Sequence, residues 1–274
     1  MIYKRPDSIE VSVEDYMSRY GSEADAKKRL YNIGAGAWSH PCWTNVDLPA
    51  QTEAFAKIQA PCVLHDLTKE SPLPIPGASV DAMYCSHVVE HIPESAVLTL
   101  MREAYRCLDD AGAFRIVTGP CADLDWAALS RHDQNWWFWF KDSDFQESIE
   151  KQLPPPAVQD YWLYSVATPR SAYSRTPCEK KFQTAELIEL LAMHKANPGQ
   201  LLDILTQPLP FDSRSPGDHI TWWNYDKLRS FLQKAGFTDI HRSAYGQSTS
   251  ALMRDLRYFD QTYPQISVYI EASK

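Results

Sequence analysis

Short apolar runs, each stopped by glycine, aspartate or a polar turn, recur over residues 30–118 and predict strands alternating with helices. Leu30–Ile33 ends at Gly34 and reads as a first strand; Trp43–Leu48 reads as a second, Cys62–Leu67 as a third, Val80–Cys85 as a fourth and Ala113–Val117 as a fifth. Before the fifth, Val97, Leu98, Met101, Ala104, Tyr105 and Leu108 recur at spacings of three and four. They predict a helix over Ser95–Leu108, with Gly112 closing that unit after Asp109 and Asp110. Shorter helices are expected at Val13–Tyr20 and Ala54–Ile58. Alternation of this kind predicts an α/β fold: a doubly wound, mostly parallel, Rossmann-like sheet.

The pattern breaks between Cys121 and Trp223. This stretch holds seven of the nine tryptophans, the run Asn135-Trp136-Trp137-Phe138-Trp139-Phe140 and the triplet Pro154-Pro155-Pro156. It reads as an aromatic-rich insertion after strand five, helical in part, with Thr184–His194 its best amphipathic segment. The sheet pattern resumes with a helix over Tyr225–Ala235, closed by Gly236, and with late strands at Phe237–His241 and Gln265–Ala272. Residues 1–274 therefore read as a single domain with seven strands, carrying 121–223 as a substrate-facing insertion or lid.

A hydrophobic content of 44% over 274 residues is enough for a core of this size. Acidic residues outnumber basic ones by 35 to 27, and no run of Lys and Arg stands out, so a nucleic-acid partner is not expected. No apolar run is long enough for an integral membrane segment, and Met1–Asp7 lacks the apolar stretch of a secretory signal. The six cysteines are scattered without a Cys-x-x-Cys pair. Reduced thiols in a cytoplasmic protein are expected, with no metal site.

The chemistry starts at Gly34-Ala35-Gly36, where the first strand ends, and at Asp47, where the second does. A glycine turn there lets backbone approach a ligand, and a carboxylate there can accept from ribose hydroxyls. Gly-x-Gly alone also occurs in ordinary turns. With the strands in place the chain resembles the class I S-adenosylmethionine-dependent methyltransferases, specifically the type 11-like small-molecule branch. Four stretches carry the resemblance: Tyr31–Gly36, Asn45–Asp47, His65–Leu67 and Asp81–Ile92, supported by Trp223–Phe237 and Ser267–Ala272. It implies S-adenosyl-L-methionine as cofactor, held by Asn32, Gly34, Ala35, Gly36, Asp47, Leu48, Asp66, Leu67, Ser86 and His87. Within that set Asp47 would take the ribose hydroxyls and Asp66 the adenine amino group, although Asp66 also suits a turn cap into Thr68.

The chain departs from the family at one point. Only Ala37–Thr44 separates Gly36 from the second strand, where a parallel crossover usually takes a dozen or more residues. About one helical turn fits there. A third glycine is missing, and the Gly34-to-Asp47 spacing is short for a dinucleotide fingerprint, which counts against a nicotinamide cofactor.

The resemblance implies in-line methyl transfer, in which holding the reacting atoms in line is most of the task. A hydroxyl acceptor also benefits from a base, and His87, His91, His132 and His219 are the catalytic candidates. The tryptophans can stack on sugar rings or flat aromatics, or build a hydrophobic lid or dimer seam. Arg170, Arg175, Lys180 and Lys181 can meet an anionic group or stay solvated. The acceptor expected is a small molecule, with O-methylation of a carbohydrate or glycan precursor first. A lipid-like or aromatic acceptor, a homodimer, and a non-catalytic nucleoside- or glycan-binding module stay open.

Overall fold

The computed structural model describes residues 9–49, 56–140 and 154–274. The described residues form two compact units, one of those within 1–89, 94–119 and 225–274, the other of those within 90–93 and 120–224. The second takes in the described residues of 121–223 together with Glu90–Pro93.

The first unit is built on seven strands: β1 (Leu30–Ile33), β2 (Thr44–Asp47), β3 (Val63–Leu64), β4 (Val80–Ser86), β5 (Leu108–Thr118), β6 (Asp239–Ser243) and β7 (Val268–Ser273). Their order is β3-β2-β1-β4-β5-β7-β6. β1 to β5 run parallel and β7 lies antiparallel between β5 and β6, so the doubly wound, mostly parallel sheet is as expected. All four residues of β1 are buried, as befits a central strand covered on both faces, while Val63 and Leu64 of the edge strand β3 are exposed. The helix Glu94–Cys107 buries Ala96, Val97, Leu100, Met101, Ala104 and Cys107 at spacings of one, three and four, and Tyr225–Ala235 buries Leu228, Phe231, Leu232 and Ala235 in the same way. The order reverses at β1, between β2 and β4. The carboxyl ends of β1 and β4 are therefore the topological switch point, where open α/β sheets bind ligands.

Two expectations change. Gly112 does not close the Glu94–Cys107 helix: β5 starts directly at Leu108, and Gly112 lies inside it at the irregularity opposite Val80. A Cβ there would come within 2.5 Å of the Val80 carbonyl oxygen, which is why the glycine is needed. The crossover from β1 to β2 also holds no helical turn, only tight turns. Its side chains replace the helix. Trp38, His40, Cys42 and Trp43 pack with Tyr16, Tyr258 and Phe259, and Trp38 Nε1 donates to the Tyr258 carbonyl at 2.6 Å. The helix expected at Ala54–Ile58 begins outside the described residues.

The second unit is helical, with Ala122–Ser130, Val158–Val166, Thr184–Met193 and Pro198–Thr206 around an apolar core. Trp137 and Trp162 are buried at its centre with Leu163, Leu187, Leu201 and Leu205, and Trp126, Trp136, Trp139 and Trp222 pack partly buried against it. The aromatic density is spent on this core. Among the described residues no helix is long and apolar enough to cross a membrane, and all six cysteines are thiols.

Candidate functional site

Gly34 and Gly36 follow β1 with φ of +70° and +55°, a region that side-chain-bearing residues seldom enter. A Cβ on Gly34 would lie 2.2 Å from Val88 Cγ2, so the backbone is as close to Val88 as it can come, whereas Gly36 has open space around it. The turn is tied to the next strand at two points: the Gly34 amide donates to the Val46 carbonyl at 2.8 Å and the Gly36 amide to Asp47 Oδ2 at 2.7 Å. Asp47 Oδ1 accepts from the Leu48 amide at 2.7 Å. Both oxygens of Asp47 are thus held by peptide N–H groups. Each carboxylate oxygen keeps further acceptor capacity for a hydroxyl.

β3 adds the second acid. Asp47 pairs with Leu64 across the strands, and its carbonyl accepts from the His65 amide at 2.8 Å, so Asp66 follows just beyond the end of the neighbouring strand. Asp66 Oδ1 accepts from the Thr68 amide at 3.0 Å and the Thr68 hydroxyl at 2.6 Å, which makes it the cap of the short turn Leu67–Lys69. This local role competes with ligand binding at Oδ1.

A cavity of about 80 Å³ lies at the switch point. Four residues of the expected cofactor set, Asn32, Gly34, Ala35 and Ser86, line it. Trp38, Tyr84, Tyr258, Gln261 and Thr262 line it too, and sequence reasoning missed them. The last three belong to the connection between β6 and β7. The dense run Tyr258-Phe259-Asp260-Gln261-Thr262-Tyr263 was the available signal, though nothing in it marks a ligand. The cavity is below the several hundred Å³ typical of small-molecule sites. Asp47 and Asp66 lie outside its lining.

The four histidines part company. His87, just past β4 with φ +54°, places Nε2 3.0 Å from the Thr262 carbonyl and 3.0 Å from Ser267 Oγ. A carbonyl only accepts, so Nε2 carries the proton and His87 fastens the β6–β7 connection to the end of β4. His132 is exposed in the turn after Ala122–Ser130. His91 and His219, both in the helical unit, are together, with ring centroids 4.9 Å apart. His91 also lines a cavity of about 340 Å³ within that unit, with Arg170, Thr176, Cys178, Glu179, Asp212, Ser215 and Asp218 among prolines and Phe211. Arg170 is fixed in its wall by the Leu205 and Lys180 carbonyls, and Lys180 pairs with Glu186 outside it. Burial pushes the Asp218 carboxyl up from its ordinary value.

Compared with known families, residues 36–116 match the methyltransferase domain. Among solved structures the chain is similar to the apo form of the S-adenosylmethionine-dependent methyltransferase SibL, at 15% identity over 90% of this chain and 50% of that one, with a TM-score of 0.39. It is also similar to an S-adenosylmethionine-dependent methyltransferase from Mesorhizobium loti (14%, 90% and 90%, 0.41) and to one from Archaeoglobus fulgidus (14%, 96% and 95%, 0.39). The chain spans half the length of SibL. No protein of curated function matches the sequence. The matched residues 36–116 cover β2 to most of β5, and over that stretch the chain is similar to the methyltransferase domain.

Proposed function

We propose that this chain transfers a methyl group from S-adenosyl-L-methionine to a hydroxyl of a small polar acceptor, a carbohydrate or glycan precursor first among them. The observation that carries the cofactor half is the Gly34–Gly36 turn clamped onto Asp47 at the switch point. Its donor set fits the group. Bare peptide at two positive-φ glycines suits the amino-acid end, and a carboxylate pre-set by two amides suits vicinal ribose hydroxyls. When bound, the cofactor supplies a methyl group already activated by its positive sulfur. The protein's own residues then bind and orient. Asn32, Gly34, Ala35, Tyr84 and Ser86 wall one end, and Asp47 and Leu48 fix the other.

The acceptor half rests on the larger cavity. At about 340 Å³ it is the size of a small-molecule site, and its hydroxyls, carboxylates and Arg170 alternate with apolar proline faces, as a polyhydroxyl compound requires. The tryptophans do not support this half, because they fill the core of the unit. His91 is the candidate histidine in that wall.

Titration calorimetry with S-adenosylhomocysteine tests the cofactor half: one molecule per chain is expected, with affinity at least tenfold weaker in Asp47→Ala. A chain that binds none of it overturns the proposal. Transfer of labelled methyl to a panel of sugars, nucleotide sugars, phenols and fatty acids tests the acceptor half, and product with phenols or fatty acids alone overturns that part.

A further inference from the structure

His91 and His219 are pinned in the same way. His91 Nδ1 lies 3.0 Å from the Asp218 carbonyl oxygen, and His219 Nδ1 is hydrogen-bonded to the Ser165 carbonyl. Carbonyls only accept, so each Nδ1 bears the ring proton and each Nε2 bears the lone pair. Imidazoles fixed through Nδ1–H on a backbone carbonyl are the arrangement that metal-binding histidines adopt, since it sets both tautomer and ring orientation. The third member is Glu90, buried, with Oε1 3.9 Å from His91 Nε2. One ligand atom from each of Glu90, His91 and His219 lies within 4.8 Å of the others.

We propose that Glu90, His91 and His219 form a binding site for a divalent transition metal of the zinc class. Two imidazoles and one carboxylate are the donors that such ions prefer, and three protein ligands leave a position open. An ion about 2.0–2.2 Å from each donor would draw the donors to roughly 3.3 Å from one another, a closure within reach of side-chain rotation. Glu90 and His91 are neighbours on one short turn, Val89–His91, and the Glu90 carbonyl accepts from the Ile220 amide at 2.9 Å, which brings the residue after His219 to that turn. The backbone thus holds the cluster together before any ion arrives. His91 belongs to the cluster and to the wall of the 340 Å³ cavity, so a molecule in that cavity lies beside the coordination sphere.

Sequence alone gives no sign of the site. His219 is far from Glu90 in the chain, and no spacing of a known metal motif joins them.

The full-length chain, stripped with chelator, is titrated with Zn²⁺ and Co²⁺ by calorimetry and absorption. We expect one ion per chain, visible Co²⁺ bands without the near-ultraviolet band of a thiolate ligand, and an unfolding midpoint that rises with metal concentration. Removing a ligand should cost at least as much as disturbing its supports, about tenfold or more in affinity for Glu90→Gln and His219→Ala, with His241→Ala unchanged. X-ray absorption on the unmutated chain reads the ligand set even where a variant fails to fold. Substoichiometric binding, a thiolate signature, or ligand variants that bind the ion as tightly as the parent overturn the site, and none of these touches the binding of S-adenosylhomocysteine.

Discussion

In the sheet unit, Asp260 and Glu271 are buried around Arg115, all three essentially inaccessible, with Arg115 donating to Asp260 at 2.7 Å and to Glu271 at 2.9 Å. Ser243 and the Ala244 carbonyl complete the guanidinium's partners. In the helical unit, Asp125 is equally buried but is held by neutral donors, Trp136 Nε1 and Ser165 Oγ, each at 2.6 Å. One unit buries charge against charge and ties β5, β7 and the β6–β7 connection around it. The other buries an acid that its surroundings prefer uncharged: burial pushes Asp125 up to about 6, with its neutral donors, Ser165 first, pulling it only part of the way back. The sheet unit's stability therefore depends on a specific ion cluster, and the helical unit's on pH.

Arg115→Met breaks the first half of that contrast and has the largest effect. It leaves two buried carboxylates without their cation, a loss of about 3–5 kcal/mol. The unfolding midpoint followed by circular dichroism should fall by roughly 10 °C or more. A fall of a degree or two would show that the cluster is incidental to the sheet.

Asp125→Asn sharpens the second half, in the opposite direction. Below the ordinary carboxyl value of 3.8 the acid is protonated folded or unfolded; above about 6 it is charged in both. Between these, the folded chain keeps a proton that the unfolded chain has lost, so this residue's contribution falls as pH rises from 3.8 to about 6 and stays lost above. A shift of about two units corresponds to roughly 3 kcal/mol. Asparagine keeps the acceptor for Trp136 and donates to Ser165 without a charge. The variant should be more stable than the parent at pH 8 and gain little at pH 4.5. Tryptophan fluorescence follows it well, because seven of the nine tryptophans lie in 121–223. A parent and variant that differ equally at both pH values would place the effect elsewhere.

The same contrast explains what the sequence made legible. β1 and the helices Val13–Tyr20 and Tyr225–Ala235 fall where the pattern puts them, because a covered central strand and a one-sided amphipathic helix leave regular marks. Gly34, Gly36 and Asp47 were legible because their roles are local: two positive-φ residues and an acid eleven positions on that captures the Gly36 amide. Other features depend on contacts distant in the chain. Tyr258 reaches the crossover through Trp38, 220 positions away, and His219 meets His91 across 128. Gly112 misled because a glycine stopping a helix and a glycine inside an irregular strand look alike until Val80 is in place. The tryptophans left a stacking surface, a lid and a dimer seam open, and an inserted unit must also build a core of its own, which Trp137 and Trp162 do.

The smallest effects separate the two glycines of the turn, and so test whether the sheet unit's site is a device of backbone rather than of charge. Both have positive φ, so an L side chain at either costs about 1–2 kcal/mol. At Gly34 a methyl must also displace Val88, whose Cγ2 is 2.2 Å from where it would sit, and crowding of that kind adds about 1–3 kcal/mol. At Gly36 nothing lies within 4 Å of the added atom, and the amide that donates to Asp47 is unchanged. Gly34→Ala should therefore lower stability by roughly 3 kcal/mol and weaken S-adenosylhomocysteine at least tenfold. Gly36→Ala should cost only the backbone penalty, with affinity within a few-fold of the parent. Equal losses would mean that the open space beside Gly36 is itself where the ligand lies, and would move the ligand's contact with the turn from Gly34 to Gly36.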